Sequence, residues 1–250
     1  MRSRERRFRL AGAGLILAIL GRASAEWPAL VEWHRTVVLP RAAGLLQAVS
    51  GFTVANLGEG LVMILIGVGL ISLFMKRTAA LPALGLVAGL AVFSFYALWG
   101  LSYRYAPLSA RLTPLSPASD EASSRRFVEL AEGAARLVDR ATDGLPDFEG
   151  DADVVMARIN AGLSEGASRL PTSIDASPVR GIAFGPVKLS RVSFALSRLQ
   201  LSGYYFPWTG EAQINAEMPR TLWPRVAAHE KAHQQGFARE NEATVIGVLT

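Results

Sequence analysis

Two apolar stretches, residues 57–75 and 79–99, set the first limit on what this chain can fold into. Each approaches the roughly 20 residues that a helix needs to cross a hydrocarbon layer. The first carries one acidic residue, Glu59, and stops at Lys76-Arg77; the second is interrupted only by Pro82. A shorter run, 10–20, follows Arg2, Arg4, Arg6, Arg7 and Arg9 and precedes Ala23-Ser24-Ala25. Basic start, apolar middle and small-x-small ending describe a signal peptide as well as an anchor, and both readings stay open. A mean hydropathy of +0.26 fits membrane helices better than the buried helices of a soluble domain.

Charge sets the expected orientation, because Lys and Arg sort to the cytoplasmic side of membrane helices. With the N-terminal arginines and Lys76-Arg77 both inside, everything after Trp99 is expected on the extracytoplasmic side. A cleaved signal leads to the same placement. Trp27, Trp33, Trp99, Tyr103 and Tyr105 fall near the expected interfaces, where amphipathic rings prefer to sit. The outer loop 21–55 runs against the trend with Arg22, Arg35 and Arg41, and its His34 reads as solvated. The net charge of +5 does not point to nucleic acid. Residues 1–102 hold 10 Lys and Arg against 4 Asp and Glu, and residues 103–250 hold 16 against 17. The excess flanks the apolar runs, and the later half has no basic stripe to neutralise phosphates. The lack of Cys excludes disulfides, thiolate metal sites and a cysteine nucleophile. The chain is too hydrophobic for intrinsic disorder.

This patterning divides the chain into a membrane domain, 1–102, with three hydrophobic helices, a linker, 103–118, and a domain over 119–250. Pro107, Pro114 and Pro117 among serines make the linker. Phe127, Leu130, Ala134, Leu137 and Val138 recur at helical spacing, and Val154, Val155, Ile159 and Leu163 form a second apolar face. Val187, Leu189, Val192, Phe194 and Leu196 alternate as in a strand. A second β-like run, 199–206, ends at the turn signal Pro207-Trp208-Thr209-Gly210. Helices, then strands, then a helix predict an α+β domain.

The chemistry is concentrated in His229-Glu230-Lys231-Ala232-His233, an HExxH pattern. On a helix, i and i+4 share one face, so two imidazoles converge on one tetrahedral Zn²⁺ while Glu230 stands beside it as general base. Two of the 3 His in the chain fall here, which makes coincidence an unattractive explanation. Pro224 suits a helix start and Gly236 a left-handed helix stop. Val226, His229, Glu230 and His233 are expected to face inward, and Arg225, Lys231 and Gln235 outward. A third histidine three residues after Gly236 would complete a metzincin, but Arg239 stands there and cannot bind zinc. After the turn, Glu240 or Glu242 can swing onto the metal in a His₂Glu set. Asn241-Glu242-Ala243 resembles the stretches that supply the glutamate of gluzincin-type sites, which favours Glu242, with Glu240 as the alternative. Arg239 is then free to orient a carboxylate or a substrate carbonyl. Tyr204 or Tyr205 is a candidate oxyanion donor, and Glu211 a candidate carboxylate behind a ligand histidine.

Three blocks resemble the bacterial membrane family named domain of unknown function 3810. They are Trp99-Gly100-Leu101-Ser102-Tyr103-Arg104 with Pro107-Leu108, residues 203–215, and residues 228–243. The resemblance implies a zincin-like metallopeptidase on the outer face of a bacterial cell membrane, with the two histidines and a following glutamate as ligands. Members of that family run on past the last block, so the domain is expected to be incomplete at its C-terminus.

Two functions are therefore expected. One is a multi-pass, membrane-anchored zinc peptidase acting on peptide or protein substrates, with the strand around 204–206 pairing with an extended substrate. The other is a non-catalytic membrane protein whose degenerate or structural metal site serves assembly or sensing. An intramembrane protease is disfavoured, because residues 219–240 are too polar for a span.

Overall fold

The computed structural model describes residues 2–53, 55–74, 80–111, 150–169 and 185–249. The amphipathic helix predicted over 127–138, and Pro114 and Pro117, lie outside the described residues. The chain begins with α1 (Arg2–Ser24), then α2 (Pro28–Trp33), a π-helical turn (His34–Val38) and α3 (Leu39–Gly51). Proline occupies a first-turn position of α2, where a missing N–H costs nothing, and Pro40 falls where the π-helical turn passes into α3. Two apolar helices follow, α4 (Leu57–Phe74) and α5 (Ala80–Leu98), and then a 3₁₀ turn (Gly100–Arg104) and α6 (Leu108–Arg111).

Helices α1 and α5 lie backbone to backbone. A Cβ on Gly14 would strike the Gly85 carbonyl, one on Gly89 would strike Gly14, and one on Gly21 would meet the Phe93 Cα. Small residues permit this approach, as in membrane helix pairs. Gly14 meets Gly85 and Gly21 meets Phe93, so the two helices run parallel and end together. Arg104 ties those ends by donating to Ala25 O at 3.2 Å and Glu26 Oε1 at 2.6 Å. Between Leu61 and Ile71 α4 exposes its large apolar side chains, among them Met63, Ile64, Leu65 and Ile71. Among the described residues no single helix is long and apolar enough to cross a membrane. Residues Arg9–Ser24 and Pro28–Gly51 reach that length only as a pair bent by 87°.

The rest combines helices with a small sheet, so the chain is of mixed α+β type. Its elements are α7 (Ala152–Arg169), β1 (Lys188–Leu189), α8 (Ser193–Arg198), β2 (Gly203–Phe206), β3 (Glu211–Ile214), a 3₁₀ turn (Arg220–Leu222), α9 (Trp223–Gln234) and α10 (Glu240–Leu249). The strand order is β1-β3-β2, with β3 parallel to β1 and antiparallel to β2. Every residue of β3 is buried. Val155, Met156 and Ile159 of α7 and Trp223 and Ala227 of α9 pack with Ala212 and Ile214 of β3 in one core.

Four expectations need correction here. The strand predicted across 187–196 stops at Leu189, because serines take over the local hydrogen bonding. Ser193 Oγ donates to Ser190 O at 2.7 Å and Ser190 Oγ accepts from Val192 N at 3.2 Å, which turns the chain into α8. The run 199–206 is strand only from Gly203, since Gln200 adopts a left-handed φ of 57°. Val154, assigned to the apolar face of α7, points to solvent. Residues 103–111, read as the start of a linker, are packed through buried Tyr105 and Leu108.

Candidate metal centre

Helix α9 carries the HExxH residues, and its ends follow local rules. Pro224 sits in the first turn. Gly236 takes φ +93° and its N–H reaches His233 O, while Phe237 N reaches Ala232 O. This left-handed stop reverses the chain within a few residues, so that α10 packs back on α9. Contact is close at one point, where a Cβ on Gly247 would lie 3.0 Å from His229 N.

The first residue of α10 completes the site. His229 Nε2 is 3.0 Å and His233 Nε2 3.6 Å from Glu240 Oε2. One donor atom from each of the three lies within 4.8 Å of the others, so the group can hold a metal ion. The imidazole planes are nearly perpendicular, with centroids 4.8 Å apart. His233 Nδ1 donates to Phe237 O at 2.6 Å, since a carbonyl can only accept. That bond places the proton on Nδ1 and leaves Nε2 free as a ligand. Burial lowers the His233 pKa, which favours the neutral ring that a metal requires. Glu230 is buried, and its Oε2 has no hydrogen-bond partner. Burial first, and then the charge of Glu240, push its carboxyl up to about 8.

The family described as Protein of unknown function (DUF3810) matches residues 36–250, which takes in this centre and the apolar helices before it. The chain belongs to that family. No curated protein and no solved structure matches it.

In this DUF3810 chain the carboxylate that the fold brings to the two histidines is that of Glu240, whereas Glu242, the residue favoured from sequence, is turned away from them. Two positions along a helix rotate a side chain by about 200°, so only one of the pair can face α9. Glu242 is buried on the other side, where its Oε1 accepts from Leu108 N and from Arg239, each at 2.9 Å. Arg239 also donates to Tyr103 O and Tyr105 O. It fastens α10 to the segment after α5 and has no place among the three donors.

A cavity of about 420 Å³ opens over the centre, lined by Trp99, Tyr103, Tyr204, Tyr205, His229, Glu230, His233 and Glu240 among others. Tyr205 packs against Trp99 with the rings tilted by 52° and their centroids 4.7 Å apart, and Trp99 meets His233 edge-on at 6.2 Å. The Tyr204 hydroxyl is committed elsewhere, 3.0 Å from Glu59 Oε1 and 2.9 Å from Gln213 Oε1. Burial raises the pKa of both tyrosines, and Glu59 adds to the effect at Tyr204.

Glu211 does not stand behind a histidine. Its oxygens accept from Leu57 N and Gly58 N at the start of α4, from Lys188 Nζ at 2.7 Å and from Thr209 Oγ1. His34 is not solvated but buried, bonded to the Tyr105 hydroxyl at 2.6 Å and Ala97 O at 2.9 Å. Lys231 and Gln235, expected outside, are buried too. Lys231 Nζ donates to Gly185 O at 2.6 Å, and burial lowers its pKa to about 7. Gly185 thus covers part of the helix face that periodicity assigns to solvent.

Three further residues at the site are not among the candidates that the sequence offers. Trp99 looked like an interface anchor. Gln47 of α3 accepts from Gln234, the neighbour of His233, and donates to Gly210 O. Gly203 leaves room for Glu230, because a Cβ there would fall 2.8 Å from Glu230 Oε1 and from Gln213 O. A glycine opening a short strand is the one available signal of close approach.

Proposed function

We propose that this chain is a membrane-anchored, zinc-dependent metallopeptidase of zincin-like architecture, working on the extracytoplasmic side. The observation that carries the reading is the convergence of His229, His233 and Glu240 beside a buried carboxylate oxygen without a partner. Two imidazoles and one carboxylate suit Zn²⁺ and leave a coordination position open. Bound there, zinc supplies a Lewis acid that polarises a scissile carbonyl and acidifies water. The chain's own residues do the rest. His233, held by Phe237 O, keeps Nε2 turned inward. Glu230 Oε2 takes the proton of the attacking water and returns it to the leaving amine. Trp99 and Tyr205 wall the cavity on the side of the sheet.

The membrane reading has its own support. Parallel α1 and α5 end together, as two outward-going helices must. Exposed Trp27, Trp33 and Tyr103 follow those ends, where an aromatic belt is expected. The apolar flank of α4 is covered if lipid surrounds it. The basic residues in the first turns of α1 and at Lys76-Arg77 favour the cytoplasm for the other end.

Zinc content and peptide cleavage by the purified full chain, with and without Glu230→Gln, test the proposal. The amide variant should retain zinc and lose cleavage. A wild-type chain that holds zinc but cuts nothing would favour assembly or sensing instead.

A further inference from the structure

The centre sits at the end of the apolar helices rather than on a stalk beyond them. Trp99 is the residue after Leu98, the last of α5, and its ring lies 6.2 Å from that of His233. The turn between β2 and β3 reaches further back. Trp208 Nε1 donates to Ser94 Oγ at 2.9 Å, and its ring packs 6.0 Å from that of Phe95. Ser94 precedes Leu98 by one helical turn, about 6 Å of rise. A second attachment fixes the other apolar helix. Glu211 of β3 accepts the Leu57 and Gly58 N–H groups that open α4, and Lys188 of β1 binds the same carboxylate. Glu59, one residue on, accepts from Ser190 and Tyr204. The sheet is thus bolted to both helix ends through buried and half-buried bonds, and the cavity cannot rise from them without breaking those bonds.

Headgroups occupy roughly 5–8 Å on each side of the hydrocarbon. If α5 ends at the hydrocarbon boundary, a centre one aromatic ring beyond its end lies at headgroup depth. We infer that the substrate is the juxtamembrane segment of a membrane-anchored protein, cut within the headgroup layer; this rests on the membrane-anchored peptidase reading above. A chain held at that depth by its own anchor meets the cleft at high effective concentration. A chain far from the bilayer must first come down to it.

The experiment uses the full chain in zinc-supplemented liposomes, with two anchored reporters. Both carry one membrane helix and one randomised unstructured cassette. In the first the cassette follows the helix directly; in the second a folded domain stands between them. The juxtamembrane cassette should be cut about tenfold faster or more, with cut sites clustered next to the helix and none made by the Glu230→Gln variant. Equal Glu230-dependent rates on the two reporters would overturn the inference and leave the peptidase reading intact. No Glu230-dependent cleavage of either reporter, nor of the free cassette peptide, removes the peptidase reading and the inference with it.

Discussion

Two regions bury glutamates, and they treat them differently. At the start of α4, Glu211 and Glu59 are saturated: each carboxylate oxygen accepts at least one bond, and Lys188 neutralises Glu211 at 2.7 Å. At the candidate metal centre, Glu230 is equally buried, yet Oε2 has no partner, and nearby three donor atoms converge with no cationic side chain among the described residues between them. A buried carboxylate with all its bonds made holds parts together. One left short of bonds, beside clustered ligands, is poised for something the chain does not itself provide. Sequence placed Glu211 and Glu230 in the same candidate site; their bonding separates them.

The contrast breaks most readily on activity. Glu230→Gln should reduce peptide cleavage by about 10²–10⁴-fold, the usual contribution of a general base, with zinc stoichiometry unchanged. Steady-state cleavage alongside metal analysis reads both quantities. On the saturated side, Lys188→Met leaves Glu211 as a buried charge without its counter-ion. Denaturant unfolding in detergent should register a loss of about 3–5 kcal/mol, while the zinc stoichiometry of folded protein stays as in wild type. Lys188→Met with normal stability would erase the distinction between the two regions.

The third donor sharpens the comparison at smaller scale. Glu240→Ala should weaken zinc binding by more than the roughly 10–100-fold typical of an outer partner. Glu242→Ala should leave zinc in place and destabilise by about 1–3 kcal/mol, since the Leu108 N–H loses its acceptor. Zinc titrations and unfolding curves on both variants decide the matter. Reversal of the two phenotypes would move the metal to Glu242.

What could be read from sequence here follows the reach of the rules involved. The α9 helix was legible because its evidence is local: proline at its start, histidines one turn apart, and a glycine stop. Its third partner was not, because Glu240 and Glu242 differ only in the register of α10 after the turn at Gly236, and packing decides that. Lys231 and Gln235 were misjudged for a similar reason. Periodicity assumes one covered face, whereas this helix is covered on two. Strand β3 offers Glu211, Ala212, Gln213 and Ile214, a composition that does not look like a central strand. It is one because Lys188 and the N-terminus of α4 satisfy its acid. Residues 187–196 alternate as a strand should, yet serine side chains bend them after two strand residues.

Acid offers the mildest probe. Burial alone would raise the Glu211 pKa, but bonds from Lys188, Thr209 and the Gly58 and Leu57 N–H groups outweigh it and hold the carboxyl below its ordinary value of 4.5. A group with a depressed folded pKa contributes stability that is fully present above the unfolded value and lost as pH falls through the folded one. Glu211→Gln cannot titrate and lacks this dependence. The stability gap between wild type and Glu211→Gln should therefore hold steady above about pH 5 and narrow progressively below it. Paired unfolding measurements cancel the other acids, which both proteins share. A gap that stayed constant into strong acid would mean that Glu211 is not the charged, saturated anchor of α4, and the contrast with Glu230 would lose one of its two sides.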